Sequence, residues 1–462
     1  MRDFDLIVIG SGSGLDVAVA AANRGLRVAI VEKGPLGGTC LNRGCIPSKM
    51  LIHSADLVEE IRGAGRFGIK VKGYEVDYTA IVDRVTSDVD SESKSIENAL
   101  MSSENPVLFK GLGKFTGRKI IEVNGEEITA EKILIAAGAR PKIPEIEGLR
   151  ESGFITSDDA LRLREQPKTL AIIGGGYIAA ELAHFFGSLG TEVYIIHRKE
   201  LLINSEDEEV ARAFTGIASK KFRVFTSSEP VSVRREGGTY EIAVKDLKTS
   251  SIVTVSSDQL LVAAGRVPNS DLLDLEKTGV LVDPRGYIKV NEYLETNVPG
   301  IYALGDIIGK YQFKHAANLE AEYALQNMLF PEEKLPVDYT AMPHAIFTSP
   351  QIASVGSTEQ ELRSKGVEYI AAKWRYIDSG MGKAIEDHDG FVKFLYDKKT
   401  LKILGCHIIG TDAATMIHEV IVAMKSGKGD AFSILDAVHI HPALSEVVQR
   451  AASNIHIHDH DH

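Results

Sequence analysis

Residues 4–32 read FDLIVIGSGSGLDVAVAAANRGLRVAIVE, which is an apolar strand pattern, a glycine-rich turn, an alanine-rich helix pattern and a second apolar strand pattern. Gly10, Gly12 and Gly14 lie in the turn, where glycines allow the backbone to approach a pyrophosphate at the helix N-terminus. Glu32 ends the second strand pattern, where an acid binds ribose hydroxyls. The stretch therefore predicts a dinucleotide-binding βαβ unit, the alternative being a merely tight turn.

Leu15 departs from the usual form of this pattern. A third glycine at this position normally lets the helix pack closely on the strand. We therefore expect the close packing in this unit to be arranged differently.

The same succession recurs at residues 169–197, TLAIIGGGYIAAELAHFFGSLGTEVYIIH. Gly174, Gly176 and Ala179 occupy the loop positions of this second unit. The repetition predicts a second dinucleotide-binding domain and places the chain in the α/β class.

The second unit has no acid at the end of its second strand, where His197, Arg198 and Lys199 stand instead. An acid there would bind a free 2′-hydroxyl and repel a 2′-phosphate, and basic side chains do the reverse. The cluster therefore favours NADP(H), with NAD(H) as the alternative. The other interpretation is that these residues are solvated loop charges.

Between the two units, residues 37–49 read GGTCLNRGCIPSK and contain Cys40 and Cys45. A disulfide needs Cα atoms about 4.4–6.8 Å apart, whereas five residues of regular helix advance about 7.5 Å. The pair can close only where the helix is irregular, and Gly44 and Pro47 allow such an entry. We interpret the pair as a redox-active disulfide beside a nucleotide. Half of a metal site and two unrelated buried cysteines are the alternatives, and no metal site is expected, because no nearby Cys/His cluster completes a tetrahedron.

The composition limits the class of protein. The 462 residues are too many for one hydrophobic core and predict two to four domains. The net charge of −12 argues against nucleic acid or an anionic membrane as a partner. Neither an apolar run of about eighteen residues nor a leader pattern is present, so we expect a cytoplasmic protein.

Five segments carry a resemblance to a known family. They are the loop at Gly10, GGTCLNRGCIPSK at Gly37, GGGYIAAE at Gly174, ALGD at Ala303 and HIHPALSE at His439. In this order they resemble the FAD-dependent class I pyridine nucleotide-disulfide oxidoreductases, which include dihydrolipoyl dehydrogenase, glutathione reductase, mercuric reductase and mycothione reductase. IRGAGRFGI at Ile61, KHAANLEA at Lys314 and FTSPQIASVG at Phe347 resemble mycothione reductase most.

The resemblance implies an α/β fold with two Rossmann-like dinucleotide-binding domains, for FAD and NADP, and an α+β C-terminal dimerisation domain. It implies a homodimer with no nucleic acid or membrane partner. The expected domains are an FAD-binding domain with the redox disulfide (1–147), an NAD(P)-binding domain (148–267), a central domain completing the FAD site (268–338) and a dimerisation domain (339–462).

The resemblance also implies the catalytic roles. Cys40 would attack the substrate disulfide, and Cys45 would face the flavin and form a charge-transfer complex with it. His441, acting across the interface from the other subunit, would be the acid and base, oriented by Glu446. A carboxylate one helical turn away can hold an imidazole, and a leaving thiolate needs a proton donor of this kind.

Further residues are implied at the two cofactors. Lys49, paired with Glu181, would stabilise reduced flavin, and Tyr177 would cover the nicotinamide pocket. Glu32 would bind the adenosine ribose of FAD, and Asp306 its ribityl chain. The positions expected to contact FAD or the pyridine nucleotide are Gly10, Gly12, Gly14, Glu32, Lys33, Gly38, Thr39, Lys49, Gly113, Ala137, Gly138, Gly174, Gly176, Tyr177, Ile178, His197, Arg198, Lys199, Gly265, Arg266, Asp306 and Ala316.

The expected activity is electron transfer from NADPH, through flavin and the Cys40–Cys45 disulfide, to a low-molecular-weight disulfide, as in mycothione reductase. Dihydrolipoyl dehydrogenase, running toward NAD⁺ reduction, is the main alternative. Mercuric reductase is less favoured because its terminal cysteines are missing here. A flavin oxidase or quinone reductase is disfavoured by the intact cysteine and histidine set.

Three features outside these motifs are assigned minor roles. Cys406, in an apolar strand pattern, is expected to be a buried, inert thiol. His439 is expected to serve packing or substrate contact. The tail carries His456, His458, His460 and His462, which could bind a transition metal weakly or form a disordered terminus. A last helix is expected from Pro442 to Ala452.

Overall fold

The first sheet is built around the glycine-rich unit. The computed structural model describes residues 1–455, so the histidine-rich tail lies outside the described residues. The unit consists of β1 (Arg2–Ile9), α1 (Gly14–Ala22) and β2 (Val28–Glu32). Ile7 and Val8 of β1 are both fully buried, so both faces of the strand are covered, which explains its nearly continuous apolar sequence.

Seven strands form this sheet. The remaining elements of this part of the fold are α2 (Gly38–Arg43), α3 (Cys45–Gly63), α4 (Tyr78–Met101), β3 (Val107–Lys110), β4 (Lys114–Gly117), β5 (Ile120–Val123), β6 (Glu126–Ile135) and β16 (Ile301–Ala303). The strand order is β3-β2-β1-β6-β5-β4, and β16 pairs with β6 in parallel. A segment from beyond the second glycine-rich unit therefore completes the first sheet.

The second unit forms a smaller parallel sheet in the order β10-β9-β8-β14. Its elements are β8 (Thr169–Ile173), α7 (Tyr177–Ser188), β9 (Glu192–Ile196), α8 (Glu208–Lys221), β10 (Arg223–Phe225) and β14 (Gln259–Val262). Each glycine-rich loop directly follows the first strand of its unit, β1 in the first unit and β8 in the second. This is expected for duplicated nucleotide-binding units.

Further elements lie before, within and after the second unit. They are β7 (Ala139–Pro141), α5 (Leu149–Ser152), α6 (Ser157–Ala160), β11 (Ser228–Glu236), β12 (Thr239–Asp246), β13 (Ile252–Ser257) and β15 (Arg266–Pro268). Strands β11, β12 and β13 form an antiparallel sheet. Strands β7 and β15 pair antiparallel at the two places where the chain crosses between the units.

The C-terminal part is an antiparallel sheet with helices, in the order β17-β18-β21-β20-β19. After α9 (Lys314–Leu329) it comprises β17 (Pro343–Ile346), β18 (Gln351–Gly356), α10 (Glu359–Ser364), β19 (Tyr369–Arg375), α11 (Gly380–Ala384), β20 (Phe391–Asp397), β21 (Ile403–Gly410), α12 (Ala413–Lys425), α13 (Phe432–Leu435) and α14 (Ser445–Ser453). The expected α/β fold with a C-terminal α+β domain is thus confirmed.

Two predictions made for the C-terminal part can be compared with the structure. The last helix begins at Ser445 rather than Pro442, because the backbone first forms a tighter turn in which Glu446 N donates to Ala443 O at 3.2 Å. Cys406 is fully buried in β21, and burial raises the pKa of its thiol. A buried, unreactive thiol is what its apolar strand predicted.

A run of acids, Glu206–Glu209, fixes the second unit to the C-terminal sheet; we call it the acidic segment. Lys393 of β20 donates to Asp207 at 2.8 Å, and the two side chains are only 2% and 0% exposed. Glu359 accepts from the same ammonium at 2.5 Å. Burial alone would raise the pKa of Asp207, but His407 and Lys393 together hold it below its usual value. The ion pair therefore joins two parts of the fold in a place without bulk water.

Removal of the Lys393 ammonium tests this junction. We expect Lys393→Ala to lower the free energy of unfolding by about 3–5 kcal/mol, because a buried Asp207 charge is left uncompensated. The melting temperature of the flavin-loaded protein should fall accordingly. The matched control is Lys398→Ala, an exposed lysine near Glu368, for which a change of only about 0.5 kcal/mol is expected. Equal melting temperatures for the two variants would contradict the prediction.

Candidate active site

A cavity of about 990 Å³ lies where the first sheet, the second unit and the C-terminal part meet. Many of the residues singled out in the sequence line it, although they come from distant segments. They are Gly10, Gly12, Glu32, Lys33, Gly38, Thr39, Cys40, Cys45, Lys49, Gly113, Ala137, Gly138, Tyr177, Ile178, Glu181, Arg266 and Asp306.

Other expected site residues do not line this cavity. They are Gly14, Gly174, Gly176, His197, Arg198, Lys199, Gly265, Ala316, His441 and Glu446. Ala316 is fully buried in α9 behind the cavity wall, and its neighbour Ala317 lines the cavity instead. Gly14 begins α1 of the first unit, the C-terminal segment carries His441 and Glu446, and the other members belong to the second unit or directly follow its last strand.

The first glycine-rich loop forms a narrow cradle. Gly10 has φ +104°, and a Cβ there would lie 2.3 Å from the carbonyl oxygen of Ala136. A Cβ at Gly38 would lie 2.6 Å from Gly12 Cα. The space left at the N-terminus of α1 suits the pyrophosphate of FAD, since backbone amides there favour an anion.

The close packing of α1 on the sheet comes from Gly14, although Leu15 stands at the usual third glycine. A Cβ at Gly14 would lie 2.8 Å from Val8 Cγ1 and 3.0 Å from Ala136 Cβ. The helix therefore approaches the sheet one residue earlier than the common pattern places the contact. Gly14 thus provides the different packing arrangement that Leu15 predicted.

Glu32 is held in place by groups that the sequence did not single out. One carboxylate oxygen accepts from Ser11 N at 2.9 Å and Ser11 Oγ at 2.8 Å. The other accepts from Gly34 N at 2.7 Å. A fixed carboxylate with remaining lone pairs on the cavity wall is suited to ribose hydroxyls.

Asp306 lies just after β16 and faces Arg266, with 3.4 Å between Oδ2 and Nε. Burial raises the pKa of this carboxyl, and Arg266 opposes the rise. Arg266 also donates to the carbonyl oxygen of Ala139 at 2.6 Å, which fixes the guanidinium at the crossing between the units. Both side chains line the cavity.

Cys40 and Cys45 lie on two helices that Gly44 separates. Cys40 belongs to α2, and Cys45 is the first residue of α3. A Cβ at Gly44 would lie 2.9 Å from the carbonyl oxygen of Thr39, so only glycine lets the chain turn this closely. The structure has the irregular entry that the five-residue spacing required, and both thiols line the cavity.

The two thiols have different acidities. A hydrogen bond from Cys40 and the charge of Lys49 lower the pKa of Cys45 to about 7, although burial acts the other way. The same hydrogen bond raises the pKa of Cys40, and burial adds to the rise. The position of Cys45 at a helix N-terminus also favours its thiolate. In the dithiol form Cys45 is therefore the first to ionise.

Lys49 and Glu181 meet across the two nucleotide units, as the resemblance implied. Lys49 Nζ lies 2.9 and 2.8 Å from the two carboxylate oxygens of Glu181. Glu181 also accepts from the backbone N of Phe347 at 3.0 Å, and the ammonium lies 4.7 Å from the Phe347 ring centroid. α3, α7 and the end of β17 thus place one cation beside Cys45.

Tyr177 begins α7 and lines the cavity next to this ion pair. Burial raises the pKa of its hydroxyl, so the ring is neutral. Its centroid lies 6.5 Å from that of Phe313 at the start of α9. The aromatic neighbour Phe313 was not identified from the sequence, although it directly precedes the KHAANLEA segment.

His441 and Glu446 form the expected pair. His441 Nδ1 lies 2.9 Å from both carboxylate oxygens of Glu446. Since a carboxylate only accepts, Nδ1 carries the proton and Nε2 is left for chemistry. The hydrogen bond from His441 lowers the pKa of Glu446. The imidazole is 72% exposed and lies outside the cavity that contains the cysteines of its own chain.

His439 lies two residues before His441 and serves packing. Its side chain is 6% exposed, and its two ring nitrogens contact Glu419 and the carbonyl oxygen of Ala437. Ile440, between the two histidines, is 76% exposed. His439 therefore anchors the exposed segment that carries His441.

The second glycine-rich loop repeats the geometry of the first. Gly174 has φ +133°, and a Cβ there would lie 2.2 Å from the carbonyl oxygen of Ala263. Gly176 is open on its outer side and precedes α7. A Cβ at Gly175 would lie 2.5 Å from His197 Cγ, so the His197 ring packs beneath the loop.

The basic cluster after β9 is therefore less uniform than its sequence indicated. Burial lowers the pKa of His197, which leaves this ring neutral at pH 7. Arg198 is 75% exposed and lies 3.2 Å from Glu229, and Lys199 is exposed. Of the three basic residues, only Arg198 and Lys199 are therefore positively charged, and the charge of Arg198 is paired with Glu229.

The sequence also missed a polar chain beside the first loop. Lys314 Nζ donates to Ser13 Oγ at 2.9 Å, and Ser13 Oγ donates to Asn318 Oδ1 at 2.9 Å. The charge of Lys314 also acts on Cys40, whose pKa it lowers against the larger opposing effects. The only signal was the position of Lys314 and Asn318 within KHAANLEA.

Among residues 1–455, no helix has the length and apolar character needed to cross a bilayer. The same part of the chain contains no trio of His, Cys, Asp or Glu side chains arranged to hold a metal ion.

Comparison with known proteins covers nearly the whole chain. The family described as pyridine nucleotide-disulphide oxidoreductase matches residues 4–321, and its dimerisation domain matches residues 342–452. Mycothione reductase of Mycobacterium tuberculosis is 38% identical, covering 98% of this chain and 99% of that protein. Dihydrolipoyl dehydrogenase 2 of Arabidopsis thaliana mitochondria is 36% identical, with 97% and 90% covered.

A solved structure agrees with these relatives. The HOCl-induced flavoprotein disulfide reductase RclA from Escherichia coli, in its Cu(II) complex, superposes with a TM-score of 0.87 at 27% identity. The match covers 98% of this chain and 99% of that one. With both family domains matched and relatives similar over their full length, the chain belongs to the pyridine nucleotide-disulphide oxidoreductases, enzymes that use FAD and a pyridine nucleotide to act on sulfur groups.

Proposed function

We propose that the protein is an FAD-dependent disulfide reductase that takes electrons from NADPH and delivers them to a low-molecular-weight disulfide, as a mycothione reductase does. The observation that carries this proposal is the unequal thiol pair. A hydrogen bond from Cys40 and the charge of Lys49 lower the pKa of Cys45 to about 7, and this thiol shares the cavity with Lys49, Glu181 and Tyr177.

We assign one cofactor to each of the two cradles. The loop at Gly10, with Glu32 and Asp306, would hold FAD, and the loop at Gly174, with Arg198, would hold NADPH. When bound, these two groups supply hydride transfer. We place the domain boundaries after residues 147, 267 and 338.

The thiols then carry out two exchange steps. The Cys40 thiolate attacks one sulfur of the external disulfide, which forms a mixed disulfide and releases one thiol. The Cys45 thiolate attacks the Cys40 sulfur, which releases the second thiol and restores the Cys40–Cys45 disulfide. Exchange of this kind is favoured when the attacking group is a thiolate and the leaving thiolate is protonated.

Because the pKa of Cys40 is raised, its attack needs a base. We assign that role to His441 of the second subunit in a homodimer, supported by its exposed imidazole and by the matched dimerisation domain. Glu446 holds Nδ1, so Nε2 is free to accept the Cys40 proton and return it to the leaving thiol.

Dihydrolipoyl dehydrogenase is the second candidate. The ion pair between Arg198 and Glu229 favours this second candidate. A guanidinium whose charge is balanced by a carboxylate attracts a 2′-phosphate less strongly. The test is steady-state kinetics with NADPH or NADH and a panel of small disulfides, mycothione included, beside lipoamide. A preference for NADPH with a small disulfide supports the proposal; a preference for NADH or NAD⁺ with lipoamide or its reduced form would replace it.

The nucleotide preference gives a separate prediction. In the double variant Arg198→Ala, Lys199→Ala, kcat/KM for NADPH should fall by about tenfold or more, since a hydrogen bond to a charged group contributes about 1.5–3 kcal/mol. kcat/KM for NADH should change by less than about twofold, because NADH has no 2′-phosphate. The control is Lys248→Ala, which removes an exposed ammonium group paired with Glu200. Equal losses with both nucleotides would contradict the prediction.

A further inference from the structure

Three aromatic rings stack along the cavity wall beside Tyr177. The ring of Phe313 is nearly parallel to two imidazoles: its centroid lies 5.4 Å from that of His315, at an interplanar angle of 4°, and 5.6 Å from that of His344, at 0°. The centroid of Phe313 also lies 6.5 Å from that of Tyr177, at an interplanar angle of 50°. All four side chains line the cavity, so the stack supports the side chain that would cover the nicotinamide pocket.

Both imidazoles are fixed by hydrogen bonds. His344 Nε2 lies 2.7 Å from Glu206 Oε1, and Glu206 is the 3% exposed first residue of the acidic segment. His315 Nε2 lies 2.8 Å from the carbonyl oxygen of Pro343. Phe313 therefore stacks on two rings that cannot easily turn.

Glu206 is itself held on its other side. Its second carboxylate oxygen accepts from Ser354 Oγ at 2.8 Å, and Ser354 contacts the buried His407. Burial alone would lower the pKa of His344, but the hydrogen bond and charge of Glu206 together raise it. The pair thus joins the second nucleotide unit to β17 of the C-terminal sheet.

Strand β17 also reaches the flavin side of the cavity. His344 lies near its start, and Phe347, just after its end, donates its backbone N–H to Glu181, the partner of Lys49. One short strand therefore contacts a carboxylate of the second unit at each end. A shift of β17 would move the aromatic stack and the Lys49–Glu181 pair together.

We propose that His344 is a positioning residue for the reductive half-reaction. It touches no reacting atom; held by Glu206, it fixes Phe313, and Phe313 fixes Tyr177 at the mouth of the nicotinamide pocket. This inference rests on the proposed function, because it assigns Tyr177 the role of a nicotinamide cover. The stacked ring, rather than the hydrogen bond alone, carries the effect.

The kinetic test separates the two half-reactions. In anaerobic stopped-flow experiments, His344→Ala and His344→Gln should reduce the rate of flavin reduction by NADPH about three- to tenfold, as expected from the loss of one aromatic contact. His344→Phe, which keeps a stacked ring, should stay within about twofold. Reoxidation of the reduced enzyme by the disulfide should be unchanged in all three variants.

The matched control is Ser354→Ala. It removes a hydrogen bond from the same Glu206 carboxylate but leaves the ring stack untouched, so flavin reduction should keep the wild-type rate. A loss in Ser354→Ala equal to that in His344→Ala would show a general structural effect and overturn the proposal. Equal losses in both half-reactions would do the same.

A second readout does not depend on turnover. With 3-fluorotyrosine placed at position 177 of the flavin-loaded enzyme, the fluorine NMR resonance should shift or broaden in His344→Ala and remain as in wild type in His344→Phe and Ser354→Ala. An unchanged resonance in His344→Ala would refute the coupling. If neither NADPH nor NADH reduced the flavin, the proposed function would fail, while this spectrum would still decide whether His344 positions Tyr177.

Discussion

Cys45→Ser will lose disulfide reduction, together with the long-wavelength absorption that a thiolate next to oxidised flavin produces. Cys45 has the lower pKa of the pair, about 7, so it holds the negative charge in the dithiol enzyme. Partial reduction with NADPH, followed by absorption spectroscopy, measures the effect. In the wild-type enzyme this absorption should grow as the pH rises through about 7, because the Cys45 thiolate forms above its pKa.

Cys40→Ser is the matched variant for this experiment. It should lose disulfide reduction as well, because the attacking sulfur is gone, but it should keep the absorption, since Cys45 and the charge of Lys49 remain. If Cys45→Ser kept the absorption and Cys40→Ser lost it, the roles of the two thiols would have to be exchanged.

His441→Gln should lower the rate of disulfide reduction by about 10²–10⁴-fold, the usual contribution of general acid–base catalysis. The raised pKa of Cys40 explains why the loss should be large, because its thiol rarely ionises without a base. Reoxidation of the two-electron-reduced enzyme by the disulfide, followed by stopped-flow absorption, measures the step directly.

Flavin reduction by NADPH should be unaffected in His441→Gln, since the role assigned to this imidazole is proton transfer at Cys40 in the disulfide half-reaction. His439→Gln is the nearby control: that side chain is anchored to Glu419, and a much smaller loss is expected. Mixed dimers that combine Cys40→Ser subunits with His441→Gln subunits test whether His441 acts across the interface. In such a dimer the intact Cys40 and the intact His441 belong to different subunits, so activity should be retained if the histidine acts across the interface. If the His441→Gln dimer were fully active, the role assigned to this histidine would be wrong.

The glycine-rich loops and the cysteine spacing were enough to predict most of the fold and much of the site. Gly10 and Gly174 can be read from sequence because only glycine tolerates their positive φ and the carbonyl oxygens at 2.3 and 2.2 Å. The same reasoning succeeded at Gly44, where the five-residue cysteine spacing demanded a broken helix. Local steric limits leave a sequence signature.

Other parts could not be predicted because they depend on contacts between distant segments. His344 and Glu206 are separated by 138 residues, and neither has a motif around it. The neutral state of His197 follows from its burial beneath Gly175, which a string of basic letters does not reveal. Gly14 replaces the missing glycine at position 15 only because Val8 and Ala136 happen to face it.

The acidic segment has a consequence for the evolution of such proteins. Asp207 is fully buried, and Glu206 nearly so, yet their partners, Lys393 and His344, belong to the C-terminal sheet. The carboxylates of the second nucleotide unit therefore depend on side chains of the sheet, because removing one partner of a buried ion pair is costly. A change on one side of this junction, such as loss of the Lys393 ammonium, therefore has to be matched by a change in the acidic segment.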